Sequence, residues 1–261
     1  MIRRLETVPA ALARIDQAPK SLFFDGNLEL LKRPCVAVVG TRRPCGYTKG
    51  WVQRISAALA GAGATVVSGG AIGVDALAHE AAGSATVAVL AGSIDVGFVQ
   101  TNKRLIAHIR QNGLVLSEYE SATPPKPWGF VHRNRLVTGL AQAVIVAEAD
   151  EKSGSMTSAQ FALKQKRPLY VLPHRLGESG GTQSLLQRGL AKPLWSVETL
   201  LADLGLATPV QEDDFMRYCQ NRPTYEEALE RFGAAVYEHE LSGRILVRDG
   251  RIEVDHAAAG H

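Results

Sequence analysis

Apolar and polar positions alternate in blocks along most of this chain. Short runs made almost wholly of Val, Ile, Leu and Ala are separated by longer stretches whose apolar residues recur every three or four positions. The short runs read as strands and the periodic stretches as amphipathic helices. Strands are expected at 35–39 (closed by Gly40), 64–68, 86–91, 113–117, 143–147 and 168–172, and helices at 48–62, 74–82, 102–111, 155–166 and 182–190. Strands this apolar cannot face water on either side, so the sheet is parallel and covered by helices on both faces. The expected fold class is α/β, a doubly wound, mostly parallel Rossmann-like sheet over residues 34–205.

The flanks break this rhythm. Residues 1–33 read as a lead-in segment, with 18–27 an extended arm and a turn, and 206–212 read as a linker. Beyond it come two short helices, around 213–221 and 225–232, and a strand pair, 244–247 and 251–254, joined at Asp249-Gly250. Asp-Gly between alternating strands is a strong hairpin signal. Residues 213–256 are therefore expected to form a small winged-helix-like domain, followed by a disordered tail at 257–261.

Composition narrows the function classes. The chain has 261 residues, 46% hydrophobic and 21% charged, which is ordinary globular composition. No apolar run approaches the ~20 residues of a membrane span, and the start reads as no signal peptide. Cys35, Cys45 and Cys219 are odd in number, lack metal-ligand spacing and show no convincing pairing with a histidine, so a reduced cytoplasm is expected, with no metal and no cofactor. The net charge of +3 is unevenly spread: residues 210–261 hold six bases against eleven acids, and residues 1–209 twenty-three bases against fifteen acids. A basic body carrying an acidic tail suits an anionic partner for the body.

Ligands of doubly wound sheets sit beyond the carboxyl ends of the strands, and three Gly-containing turns lie there. The first is Gly40-Thr41-Arg42-Arg43-Pro44-Cys45-Gly46. A dinucleotide loop needs Gly-x-Gly-x-x-Gly so that pyrophosphate can approach bare backbone, and Arg42 occupies the second glycine's place. The phosphate-loop pattern ending in Gly-Lys-Ser/Thr is absent as well. The second turn, Ser68-Gly69-Gly70-Ala71-Ile72-Gly73-Val74-Asp75, opens a helix carrying His79, and its amides offer an anion site. Asp75 and His79, four apart, have the spacing of an acid–base pair; equally, Asp75 caps the helix and His79 satisfies the loop. The third turn, 148–155, ends in Ser153-Gly154-Ser155, where Ser153 or Ser155 caps a helix whose free amides suit another phosphate. Glu118 and Glu148, both at strand ends, have the place to hold loops or orient arginines.

Between the fourth strand and the fifth lies the densest cluster of recognition chemistry. After the Pro-rich loop 123–128, with Lys126, the segment Phe130-Val131-His132-Arg133-Asn134-Arg135 puts a ring and two guanidinium groups on what reads as a loop entering a helix. Phosphates favour Arg and Lys, and bases favour an aromatic platform. The plainer alternative is a helix start packed by Phe130 with solvated arginines outside.

Taken together these motifs resemble one family, DNA-processing protein A, also called Smf. The resemblance rests on Gly40-Thr41-Arg42, on Ser68 to Asp75 followed by Ala78-His79, and on Ser117-Glu118-Tyr119. Phe130 to Arg135, Glu148-Ala149 and Ser153-Gly154-Ser155 complete it. The match spans roughly residues 18–204. The departures are Phe98-Val99-Gln100-Thr101-Asn102 in place of Tyr-Pro-x-x-Asn, Pro173-His174 in place of Pro-Gly, Thr41 for serine, and a front domain reduced to the first thirty-odd residues.

The resemblance implies a non-enzymatic, cytoplasmic single-stranded DNA-binding protein that protects incoming strands in natural transformation and helps load the RecA recombinase. It further implies a homodimer formed through the Rossmann-like domain. On that reading Arg42, Arg43, Lys126, Arg133 and Arg135 contact phosphates and Phe130 stacks on a base. The backbone and small side chains of Gly40, Thr41, Ser68, Gly69, Gly70, Asn134, Ser153, Gly154 and Ser155 let the strand come close. The alternative is a Rossmann-like nucleotide-processing enzyme of the phosphoribohydrolase type. Residues 178–185 keep a Gly-Gly-Thr fragment of that class's loop, with no glutamate after it.

Overall fold

The computed structural model describes residues 2–96, 102–206 and 214–254. The chain divides into two compact units, 1–208 and 209–261. In the first, the order is β1 (Arg3–Arg4), α1 (Ala10–Ala13), β2 (Phe23–Gly26), β3 (Cys35–Val39), α2 (Gly46–Gly61), β4 (Thr65–Ser68), α3 (Val74–Ala82) and β5 (Thr86–Val89). It continues with α4 (Lys103–Asn112), β6 (Leu114–Ser117), α5 (Pro127–Leu140), β7 (Ala143–Val146), α6 (Gly154–Lys164), β8 (Leu169–Val171), α7 (Gly180–Gln187), β9 (Lys192–Pro193) and α8 (Val197–Asp203).

These strands form one sheet in the order β1-β2-β6-β5-β4-β3-β7-β8-β9. Strands β3 to β9 run parallel, while β2 is antiparallel to β6 and β1 to β2. The parallel part starts at β3 in the middle, winds outward through β4 and β5 to β6, then crosses back to lay β7 on the other side of β3. The reversal leaves a crevice beyond the carboxyl ends of β3 and β7.

Alternation along β3 shows why the sheet needs two covers. Val36 and Val38 pack in a core with Val52, Ile55 and Leu59 of α2 and Val74 and Ala78 of α3. Cys35, Ala37 and Val39 pack on the opposite face with Leu136 and Val137 of α5 and Ala159 and Ala162 of α6. Every residue of β3 is buried, as the uninterrupted apolar run requires.

Residues 1–33 differ from the lead-in expected of them. Phe23, Phe24, Asp25 and Gly26 pair with Ser117, Leu116, Val115 and Leu114 of β6, adding a covered antiparallel edge. Phe24 is 4% exposed, with the Arg3 guanidinium over its ring at 4.5 Å. Asp25 takes two bonds from Arg110 of α4, at 2.7 and 3.0 Å. The two-residue β1 and the short apolar run Leu22 to Phe24 carried too little periodicity to be read as sheet.

The second unit, described by itself, holds α9 (Asp214–Cys219), α10 (Tyr225–Phe232), α11 (Ala234–Leu241) and the hairpin β10 (Ile245–Arg248) and β11 (Arg251–Val254). Three helices followed by a hairpin agree with the winged-helix-like expectation, with α11 as one helix more than was read. Only Gly233 separates α10 from α11, so the two periodic runs abut with hardly a breaker between them. Its core is Phe215, Cys219, Ala228, Val236, Ile245 and Ile252, and α10 starts in a capping box between Thr224 and Glu227. Most of the expected linker and the whole tail 257–261 lie outside the described residues. Among the described residues no helix is long and apolar enough to cross a membrane.

Truncating a buried aromatic side chain costs about 3–5 kcal/mol. Phe24→Ala should destabilise the first unit by that amount in urea unfolding; a change under about 1 kcal/mol would mean that the front segment is a detachable arm.

Candidate nucleic-acid interface

The segment read as a loop entering a helix is helix throughout. Helix α5 begins with Pro127 at its first turn, where a missing N–H costs nothing. At 3.6 residues per turn, Phe130, Arg133 and Asn134 share one face. Arg135, two positions past Arg133, is turned by about 200° and faces away. This periodicity separates the two arginines that the sequence had grouped.

Arg133 is buried, at 4% exposure. Its Nη1 donates to the carbonyls of Gly69 and Val89, at the ends of β4 and β5. Burial pushes its pKa down from the usual arginine value, Asp75 opposes that shift, and Arg42 adds to it. Arg135 is 2% exposed. It makes a two-pronged bond to Glu118, Nη1 to Oε2 at 2.6 Å and Nη2 to Oε1 at 2.8 Å, and its Nε donates to the Gln17 carbonyl at 3.0 Å. Both guanidinium groups are therefore committed inside the protein. The expected phosphate contact from Arg135 does not fit this geometry, and Arg133 reaches the cleft described below only as part of its wall.

The second glycine turn is likewise occupied. Asp75 reaches back from the first turn of α3 and accepts the N–H groups of Gly69 (3.1 Å) and Ala71 (3.3 Å). Two of the amides expected to hold an anion are thus given to a carboxylate of the protein. Burial raises the Asp75 pKa, while Arg133 and these two amides pull it back. Gly69 is required for a different reason from the one expected: a Cβ there would stand 2.5–2.7 Å from the Arg133 guanidinium. Gly73 adopts φ +81°, and a Cβ would meet the Thr41 carbonyl at 2.5 Å, so the second turn can dock on the first only through glycine. Ser68 donates to the Val38 carbonyl at 2.7 Å and Gly70 is buried, its carbonyl held by Asn102. Neither Ser68 nor Gly70 reaches the cleft surface.

What remains is one open cleft of about 610 Å³ at the sheet's reversal point. Of the residues expected at the site, Gly40, Thr41, Arg42, Gly69, Phe130, Arg133, Asn134, Ser153, Gly154 and Ser155 line it together, with Asp75 among them. Thr41 is held by donating its N–H to the Glu148 carbonyl across the reversal, at 2.8 Å. Arg42 is exposed, and its guanidinium lies 6.0 Å from the centre of the half-buried Phe130 ring. Ser153 caps α6 by accepting the Met156 N–H, and Asn134 donates to the Gly154 carbonyl at 3.2 Å. The first turn of α6 consequently opens onto the cleft with its positive dipole end.

Arg43 and Lys126 are exposed beside the lining residues without belonging to them. Lys152 is also exposed, but flanked by Asp150 and Glu151. Sequence reasoning passed over Trp128, 58% exposed with the Lys126 Nζ 5.9 Å from its ring; an aromatic two residues from a lysine at a helix start was the available signal.

Comparison with known proteins places the chain in a family. The family model of DNA recombination-mediator protein A matches residues 2–205. The chain belongs to that family. It is 36% identical over 202 residues to DNA processing protein DprA of Bacillus subtilis, covering 75% of this chain and 68% of the relative. With DNA processing protein DprA of Streptococcus pneumoniae it is 40% identical over 200 residues, covering 75% and 70%. Among solved structures it resembles DNA processing protein A from Helicobacter pylori, a structure described for its single-stranded DNA-binding mode. The TM-score is 0.76 at 43% identity, covering 78% of this chain and 95% of that one. The Streptococcus pneumoniae structure follows with a TM-score of 0.72 at 37% identity, covering 77% and 74%. These family members share the Rossmann-like unit with this chain.

His79, for which the sequence left open an acid–base pair or a hydrogen-bonding role in the loop, bonds to Thr86 at the start of β5. Thr86 donates its hydroxyl to the Val66 carbonyl (3.0 Å), so at 2.7 Å the His79 Nδ1 must be the donor to Thr86. Nε2 is then the bare nitrogen, buried with no hydrogen-bond partner among the described residues. Burial, helped by Arg133, holds the His79 pKa down to about 3. Because the unfolded chain binds this proton near the ordinary pKa of ~6.5, stability is fully present above that pH and falls as pH drops toward 3. Between pH 7 and pH 5 the loss from His79 should be about 2 kcal/mol. His79→Gln should flatten the acid limb by that amount in urea titrations at the two pH values, and parallel limbs would contradict a neutral, desolvated imidazole.

Proposed function

We propose that the chain binds single-stranded DNA in the cleft between the β3 and β7 strand ends and acts on it as a recombination mediator, without catalysing a reaction. The observation that carries this reading is the Arg42–Phe130 pair beside the α6 N-terminus. An exposed cation, a flat ring and a helix dipole within one open cleft match a flexible strand's phosphates and bases. The likeness to the Helicobacter pylori protein, whose description names single-stranded DNA, supports the choice of ligand. Arg42, Arg43 and Lys126 neutralise phosphates, Phe130 stacks on a base, and the Gly40-Thr41 and Ser153-Gly154-Ser155 turns take the backbone. Arg133 and Arg135 act from inside, setting the position of α5.

The same reading carries the finer roles that the family resemblance implies. Bound strands are protected and handed to the RecA recombinase, and the protein works as a homodimer in a reducing cytoplasm, in keeping with its odd number of cysteines.

With about three phosphates neutralised on a single strand, the log–log dependence of affinity on salt should have a slope near −2. Titration of labelled oligo-dT at several salt concentrations measures it, and a slope near zero would defeat the proposal. Arg42→Ala should weaken binding to all sequences alike and bring the slope about 0.7 closer to zero. Phe130→Ala should cost about 1–3 kcal/mol of binding; unchanged affinity would remove the ring from the interface.

A further inference from the structure

We propose that Cys45, Glu148 and His174 form a binding site for one borderline-soft divalent cation, with Zn²⁺ the best match. Their ligand atoms, the Cys45 Sγ, a Glu148 carboxylate oxygen and a His174 ring nitrogen, all lie within 4.8 Å of one another. They come from three neighbouring strand ends: the turn after β3, the end of β7 and the turn after β8. None of the three lines the DNA cleft. The sequence had offered neither metal-ligand spacing nor a cysteine beside a histidine, since ligands 103 and 26 positions apart have no signature along the chain.

The histidine is set as a ligand. Its side chain is 1% exposed, and Nε2 lies 3.9 Å from Glu148 Oε2. Nδ1 is 2.9 Å from the Leu172 carbonyl, which can only accept, so Nδ1 carries the proton. That leaves the Nε2 lone pair facing the cluster, the same outer-shell arrangement that orients metal-bound histidines. The Tyr47 ring stands edge-on to the imidazole at 5.5 Å, and Gln183 donates to the His174 carbonyl at 2.5 Å, so both ring and backbone are held. On the far side, Glu148 Oε2 accepts the Cys45 N–H at 3.1 Å, which orients the carboxylate toward the thiol. Thr48 sits between the other two: its hydroxyl donates to the bare His174 Nε2 at 3.1 Å and stands 3.4 Å from Cys45 Sγ, so a cation bound here takes that hydroxyl's place on the imidazole.

The donor set selects the cation. One thiolate, one imidazole and one carboxylate suit Zn²⁺ and argue against Mg²⁺ or Ca²⁺, which take oxygen ligands. Zn–S of about 2.3 Å and Zn–N of about 2.0 Å require the three atoms to draw slightly closer. Cys45 is exposed and provides the entrance. Three protein ligands leave a fourth position open to water or another donor. A cation held here would cross-link the three strand-end turns, including the one that carries Arg42 and Arg43 just before Cys45.

The test uses the full chain, stripped with a chelator and titrated with Co²⁺, whose thiolate charge-transfer absorption reports a sulfur ligand. One ion per chain is expected, with that absorption present and bleached by added Zn²⁺. Cys45→Ser, a change at an exposed side chain, should abolish the charge-transfer band, and His174→Ala should weaken Co²⁺ binding at least about ten-fold. No thiolate band in the unmodified chain, a band that survives Cys45→Ser, or unaltered affinity in a folded His174→Ala protein would each overturn the site. Cys45→Ser alone is decisive if His174→Ala does not fold.

Discussion

A guanidinium group buried at the ends of β4 and β5 governs the geometry of the whole binding face. Arg133 cannot be left without partners in that position, because an unsatisfied buried charge costs several kcal/mol. The Gly69 and Val89 carbonyls and the nearby Asp75 carboxylate meet that demand. Each partner imposes a condition in turn. Residue 69 must be glycine for the guanidinium to fit, and Asp75 must turn back to grip the Gly69 and Ala71 amides. With Arg133 anchored inward, the helical repeat places Phe130 and Asn134 over the cleft and Arg135 against Glu118. The buried charge of Arg133 thus fixes where the Phe130 ring stands in the cleft.

The sheet's reversal explains the remainder. Strand ends β3 and β7 part because their connections leave in opposite directions, and the Thr41–Glu148 backbone bond ties the two turns together across the gap. Into one side of the gap project Arg42, Phe130 and the start of α6. Behind it, Glu148 reaches Cys45 and His174. One residue at the end of β7 thus serves both faces, its carbonyl holding the arginine turn and its carboxylate joining the Cys–His cluster. The crevice is walled by the turns after β3 and β4 and by the first turns of α5 and α6, with the exposed Arg42 among its lining residues, an arrangement that attracts anions.

Much of this was readable from the chain. The strands at β3, β4 and β7 were legible because runs such as Val36-Ala37-Val38-Val39 permit no other burial pattern, and the 245–254 hairpin because Asp249-Gly250 supplies the positive φ that its turn needs. The front strands were missed, since Phe23 and Phe24 become sheet only by pairing with β6, more than ninety positions away. Helix α5 was taken partly for loop because its first turns mix Pro, Trp, Gly and charged residues and give almost no apolar stripe. The arginines were misjudged for a related reason: composition says that a guanidinium is charged, and only its neighbours say whether that charge is already used.

By itself the sequence determined the class of fold, the succession of strands and helices, the family, and the glycine turns at the strand ends, because local periodicity and glycine placement act over a few residues and survive without knowledge of partners. The tertiary structure alone decided which charges face outward, which amides remain free for a ligand, and that Cys45, Glu148 and His174 meet. Those outcomes depend on distances between strand ends far apart in the chain, and burial and hydrogen bonding are properties of a place in the fold rather than of a position in the sequence.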